Sequence, residues 1–367
     1  MKFELYQPQA INELGTRKNQ EDNVYPAMGA ATTQQRVFVV CDGMGGLDKG
    51  EVASDAVSKA IGHAAEAIQS AVSVFSDEDF EHCLAQAYDA LDAADINREA
   101  AMGTTMTFLC FHSRGCLVAH IGDSRIYHLR PSLGPDKGVL YRSRDHSLVQ
   151  QLYELGEISY DEMGTSPRKN IILKAMQPHQ DMRTKATLAH ITDVKAGDYF
   201  YLCTDGMLER MEDDGIIGIL GSPSTDEEKR QRLIDVTQHN ADNHSAYLIQ
   251  VKAVEAEPGD EPQENEELLL REKNKALNDP RKHLAWSERG EVEDTSYSPT
   301  TAPAAVEQEP ATVQAGRQPS RQGGDTQQTD GKRKSHVMTL VAMALSGIAL
   351  LAGIAVGVVM FFVKPFE

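Results

Sequence analysis

Two apolar runs in this chain end in the same way. Val37-Phe38-Val39-Val40-Cys41 leads into Asp42-Gly43-Met44-Gly45-Gly46, and Tyr199-Phe200-Tyr201-Leu202-Cys203 leads through Thr204 into Asp205-Gly206. A carboxylate on a rigid strand end, beside a backbone carbonyl that glycine leaves exposed, suits a hard cation. An Asp-Gly pair alone is an ordinary turn, so the matter rests on partners elsewhere. Asp242-Asn243 stands just before the strand-like run Ala246–Val251, and Glu21-Asp22 follow Gly15-Thr16-Arg17. Four acidic sites beside strand ends can converge on one pair of cations. A nucleotide-binding loop is excluded. Gly45 and Gly50 have its separation, but Glu51 follows where Lys and then Ser or Thr are needed.

The elements that must position these residues are legible in outline. Strands are expected over 5–14, over the run ending at Asp42, and over 104–112, 116–121, 125–130 and 139–142. Others are expected over 182–189 and 199–203 and at the end of the domain. Helices are expected over 51–70, 77–94, 147–155 and 226–239, the second capped by Ser76 with an acidic first turn. A polar stretch follows to Asn170.

Composition narrows the classes. A formal net charge of −19 excludes a nucleic-acid partner, which needs a basic surface. Five cysteines without a C-x-x-C pair point to a reducing compartment, with no disulfide framework or zinc site. No cysteine has Arg six positions on, so a cysteine-nucleophile phosphatase is excluded as well. Residues 254–335 are rich in Glu, Gln, Pro, Thr and Asp and read as a disordered acidic and polar linker. Residues 336–364 read as one transmembrane helix, with a short tail at 365–367. Val337 to Val363 carries no charge and exceeds the ~20 residues that cross a bilayer. Lys332-Arg333-Lys334 before it place the preceding domain in the cytoplasm. Gly353-x-x-x-Gly357 on its small-residue stripe offers a homodimer contact.

Ordered motifs over about residues 5–252 resemble the metal-dependent protein phosphatases, the type-2C serine/threonine class, in their bacterial form. They are Gly15-x-Arg17-x-x-Gln20-Glu21-Asp22, Asp42-Gly-Met-Gly-Gly46, Gly50-Glu-Val-Ala-Ser54, Gly103-Thr-Thr105 and Gly122-Asp-Ser-Arg125, then Asp145-His-Ser-Leu-Val149, Asp205-Gly206 and Asp242-Asn243. The resemblance implies an α+β fold, a four-layer α-β-β-α sandwich of two antiparallel sheets, over residues 1–253. It implies two Mn2+ or Mg2+ ions that activate water for hydrolysis of phosphoserine and phosphothreonine in proteins. Asp42 is then the bridging ligand, with the Gly43 carbonyl on one metal. Asp205 and Asp242 hold one side, and Glu21 or Asp22 acts directly or through water. Asp123 matches the ligand of a third ion in bacterial relatives, and Arg17 clamps the phosphate. The segment after 147 is a mobile flap in the family, and a Ser/Thr kinase is the expected opponent. Met44 stands where many eukaryotic relatives carry a His proposed to protonate the leaving group. That task then falls to a metal-bound water or to His146. The alternative is a catalytically silent phosphatase-like module that binds phosphorylated partners. Such a module has no need of the full ligand set.

Overall fold

The structure, a computed structural model, describes residues 1–45, 49–95 and 102–255. The expected linker beyond 255 and the transmembrane helix and tail lie outside the described residues. Among the described residues no helix is long and apolar enough to cross a membrane.

The chain opens with β1 (Lys2–Leu5) and β2 (Gln9–Glu13), where one strand over 5–14 was expected. Pro8, which has no N–H to give a ladder, lies between them. Both pieces pair with the last strand, β12 (His244–Glu255). β3 (Asp22–Tyr25) pairs antiparallel with β4 (Val37–Gly45). Then come α1 (Lys49–Gln69) and α2 (Asp77–Ala94). Ser76 closes a capping box with Asp79 and starts α2 at the expected residue.

β5 (Met102–Thr104), β6 (Met106–His112), β7 (Gly115–Ile121) and β8 (Arg125–Leu129) follow. A short turn of helix, α3 (Pro135–Gly138), joins β8 to β9 (Val139–Arg142). The polar stretch after 147 contains α4 (Leu148–Glu154), capped by Ser147, and α5 (Tyr160–Thr165), capped by Ser159. β10 (Thr187–Ile191) and β11 (Tyr199–Cys203) lead to α6 (Asp213–Leu220) and α7 (Asp226–Thr237).

The strands form two antiparallel sheets. One runs β1-β12-β11-β8-β9, with β2 also on β12. The other runs β10-β7-β6-β4-β3, with β5 also on β4. β4 shows why the layers stack. Val37, Val39 and Cys41 face a core shared with α1 and α2, whereas Phe38 and Val40 face a second core shared with β11 and β12. Period-2 alternation with both faces apolar produces a strand buried on both sides. β11 does the same in mirror image: Phe200 and Leu202 join the inter-sheet core, while Tyr199, Tyr201 and Cys203 pack with α6 and α7. The result is the expected α-β-β-α sandwich, with the strand-end carboxylates brought to one end of the inter-sheet core.

Candidate active site

The β3–β4 hairpin places Asp22 directly opposite Asp42. Both are buried, at 2% and 4% exposure, so each needs a polar partner or a cation. The Asp42 N–H donates to Thr105 Oγ1 at 2.9 Å. The Asp42 carbonyl accepts from the Thr105 N–H and from the Thr104 hydroxyl, each at 2.9 Å. The Gly103-Thr-Thr105 motif is therefore the splint of the Asp42 backbone. Asp22 Oδ2 accepts from the Thr204 hydroxyl at 2.9 Å, a contact between the two sheets. Gly43 is required by space. A Cβ there would overlap the carbonyl oxygens of Gly50 and Glu21, and one on Gly50 would run into the Glu21 side chain. The Gly43 N–H donates to the Glu21 carbonyl at 3.0 Å, so Glu21 is held against the end of β4.

Arg17 and Asp242 meet. Nε and Nη2 of Arg17 reach the two Asp242 oxygens at 2.9 Å each, the two-pronged geometry that guanidinium and carboxylate share. Partial burial works against the Arg17 charge. Asp242, with smaller contributions from Asp42 and Glu21, holds its pKa above the ordinary value all the same. The turn before Asp242 is fixed by Glu209, whose carboxylate accepts from the N–H groups of Ala241 and Asp242 at 2.8 and 3.2 Å.

A cleft of about 1370 Å³ opens at this end of the sandwich, and Arg17, Glu21, Asp123, Asp205 and Asp242 all line it. Asp22 and Asp42 are buried and are not among its lining residues. As the side chains stand, no three His, Cys, Asp or Glu among the described residues converge on one point that could hold a metal ion. The acidic groups instead ring the cleft. Their donors are all oxygens, which suits Mn2+ or Mg2+ and not zinc. Arg125 and Asp145, which also line the cleft, form a paired-bond bridge at 2.8 and 2.7 Å. That bridge joins two of the sequence motifs as a structural tie.

Met44 and His146 both have tasks other than proton transfer. Met44 is buried with Ile172 and Ala175, so it packs the returning end of the α4–α5 segment against β4. His146 Nδ1 accepts the Gly122 N–H at 3.2 Å, Nε2 pairs with the Thr187 hydroxyl at 2.9 Å, and the ring stacks on His120 at 4.4 Å. Burial first, then His120 and Lys174, pull its pKa down to about 3. It does not line the cleft, and the expectation that it serves as the leaving-group acid finds no support in this placement. Thr204, Glu209 and the side chain of Asn243 were not singled out from the sequence, because nothing in local spacing shows that they bond to loops far away in the chain.

Fold and cleft together define an acidic, oxygen-donor site at the end of a β-sandwich, and comparison with known proteins agrees. The Protein phosphatase 2C family model matches residues 18–242, and the chain belongs to that family. It is 30% identical over 252 residues to the serine/threonine protein phosphatase PstP of Mycobacterium tuberculosis, covering 66% of this chain. The chain spans less than half of that relative's length, 44%. It is 28% identical over 246 residues to the protein phosphatase PhpP of Streptococcus pneumoniae, covering 66% of this chain and 95% of the other. The crystal structure of the M. tuberculosis phosphatase PstP/Ppp superposes with a TM-score of 0.56 at 28% identity. It covers 68% of this chain and 99% of that one. The catalytic domain of PstP in complex with two manganese ions superposes with a TM-score of 0.53 at 27% identity, over 68% and 100% of the two chains.

Proposed function

We propose that the chain is a metal-dependent serine/threonine protein phosphatase acting on phosphorylated proteins. The observation that carries this reading is the cleft itself. It gathers Arg17, Glu21, Asp123, Asp205 and Asp242 from segments far apart in the sequence, and the same domain buries the facing pair Asp22 and Asp42 on β3 and β4. The relative whose structure holds two manganese ions supports two Mn2+ or Mg2+ ions here. Asp42 and the Gly43 carbonyl would be among the groups that hold them. Asp205 and Asp242 would hold one side, Glu21 or Asp22 would act directly or through water, and Asp123 would serve a third ion. When bound, such ions lower the pKa of water and neutralise phosphate charge.

The chain's own groups do the rest. Arg17, on the cleft wall, orients the phosphate through paired hydrogen bonds. The Thr104–Thr105 splint and the Gly43–Gly50 contact keep the end of β4 rigid. With His146 committed elsewhere, the leaving alkoxide takes its proton from solvent in the open cleft. Phosphoproteins made by a Ser/Thr kinase are the proposed substrates. The uncharged run within 336–364 is proposed as a single membrane span, leaving the phosphatase domain in the cytoplasm; pairing of two spans through the Gly353 and Gly357 stripe is part of the same proposal.

The test is hydrolysis of a phosphothreonine peptide by the full chain, with Mn2+ and with chelator. Activity is expected only with the metal and not in Asp205→Asn, whose circular dichroism stays that of the wild type. Near wild-type turnover in Asp205→Asn would sink the assignment. The same preparation is expected to sediment with membranes and to be released by detergent but not by carbonate. Release by carbonate removes the membrane span.

A further inference from the structure

One side chain pins the turn that carries Asp242 to the loop that carries Arg17 and Glu21. Asn243 Oδ1 accepts the Glu21 N–H at 2.8 Å, and Nδ2 donates to the Leu14 carbonyl at 2.8 Å. Its own backbone N–H donates to Asp242 Oδ1 at 2.9 Å. The residue is 4% exposed, so these bonds are made away from competing water. The partners fix the amide's orientation, since one is a donor N–H and the other an acceptor carbonyl. Among side chains of this length only Asn has both capacities without charge: Asp cannot donate to Leu14, and Ser is too short to reach both.

The neighbours show how close the two segments must lie. The Thr16 hydroxyl donates to the Ala241 carbonyl at 3.1 Å. Gly15 takes a left-handed φ of 62°, and a Cβ there would overlap the Asp242 carbonyl. Chain connectivity does nothing to hold these segments together, because 222 residues separate Glu21 from Asn243. Two groups proposed to serve the cations, Glu21 and Asp242, are thus joined through the Asn243 amide, next to the end of the β2–β12 ladder and the Arg17–Asp242 pair.

We propose that Asn243 is a positioning residue whose side-chain amide sets the separation of Glu21 and Asp242, and through it the affinity of the cleft for divalent cations. The proposal rests on the phosphatase reading. Asn243 itself touches neither substrate nor ion in this account. Groups that orient ligands from behind typically change metal affinity or activity by about 10–100-fold when lost.

The experiment uses the full-length protein and its Asn243→Ala and Asn243→Ser variants. Mn2+ binding is measured by titration calorimetry, hydrogen exchange of the 14–22 segment is followed in chelator, and hydrolysis is measured against Mn2+ concentration. Both variants are expected to weaken Mn2+ binding roughly tenfold or more and to speed exchange in 14–22. The Mn2+ concentration needed for half-activity should rise more than kcat at saturating Mn2+ falls. A residue that only packs would lower thermal stability and leave all three unchanged in the folded protein. Wild-type Mn2+ affinity and exchange in folded Asn243→Ala overturn the proposal, and if that variant does not fold, the same result in Asn243→Ser does so. A wild-type protein that binds no Mn2+ instead overturns the phosphatase reading. Exchange in 14–22 decides the pin separately, because it is read without metal.

Discussion

Arg17 faces two claims on one guanidinium. It holds Asp242 through both carboxylate oxygens, and it is one of the cations on the cleft wall, the one proposed to meet a phosphate. A clamp used alike in ground and transition states contributes uniform binding, so its loss is expected in KM. Arg17→Ala is expected to raise KM for a phosphothreonine peptide by about tenfold or more, the size of one lost charge-assisted pair. It should also weaken Mn2+ binding, because Asp242 loses its brace. Arg17→Lys restores the charge but not the two-pronged geometry, and should recover only part of the KM. A collapse of kcat with KM unchanged would make Arg17 a group used only in the transition state.

At the level of elements, the stacked pair His120 and His146 ties β7 to the segment that precedes α4. His146 has its pKa pulled down to about 3, from burial first and then from His120 and Lys174. An unfolded histidine titrates near 6.5. Between those values the unfolded chain binds a proton that the native chain refuses, so stability falls as pH drops from about 6.5 towards 3. His146→Gln should flatten this slope without removing it, since burial lowers the His120 pKa as well. Urea midpoints at pH 7 and pH 5 measure it, and an unaltered difference between them would refute the assignment.

The same elements show what could be read in advance. α2 was legible to the residue, because a serine cap and three acids announce its first turn. β11 was legible as a short buried apolar run. β3 was not, being four residues long with pairing supplied by β4, and α6 was hidden by Gly215 and Gly218 in its short span. Asp42 and Asp205 stood out because each ends a run of apolar residues, whereas Glu21, Asp22, Asp123 and Asp242 took their meaning from the ordered motifs around them. How they are held in place was not legible: Thr204 bonds to Asp22 across 182 residues, and Asn243, read only as part of the Asp242-Asn243 motif, bonds to Glu21 across 222. Such pairs exist only once the sheets have stacked.

For the molecule as a whole, Asp22 and Asp42 belong to one sheet, whereas Asp205 and Asp242 leave the ends of strands in the other. A cation shared among them, as proposed, would act as a rivet through two plates. Mn2+ at a hundred times its Kd should raise the unfolding free energy by about 2.7 kcal/mol, or roughly 5–10 °C in Tm for a domain of this size. Scanning calorimetry with and without chelator reads the shift, and its absence would mean that no rivet spans the seam. A second effect follows from the geometry. Sliding of one plate over the other by about an ångström would spare both hydrophobic layers yet misalign the ligands, at a cost of roughly a hundredfold in rate. A substitution deep between the sheets, far from any carboxylate, can therefore leave a protein that melts almost normally and hydrolyses almost nothing.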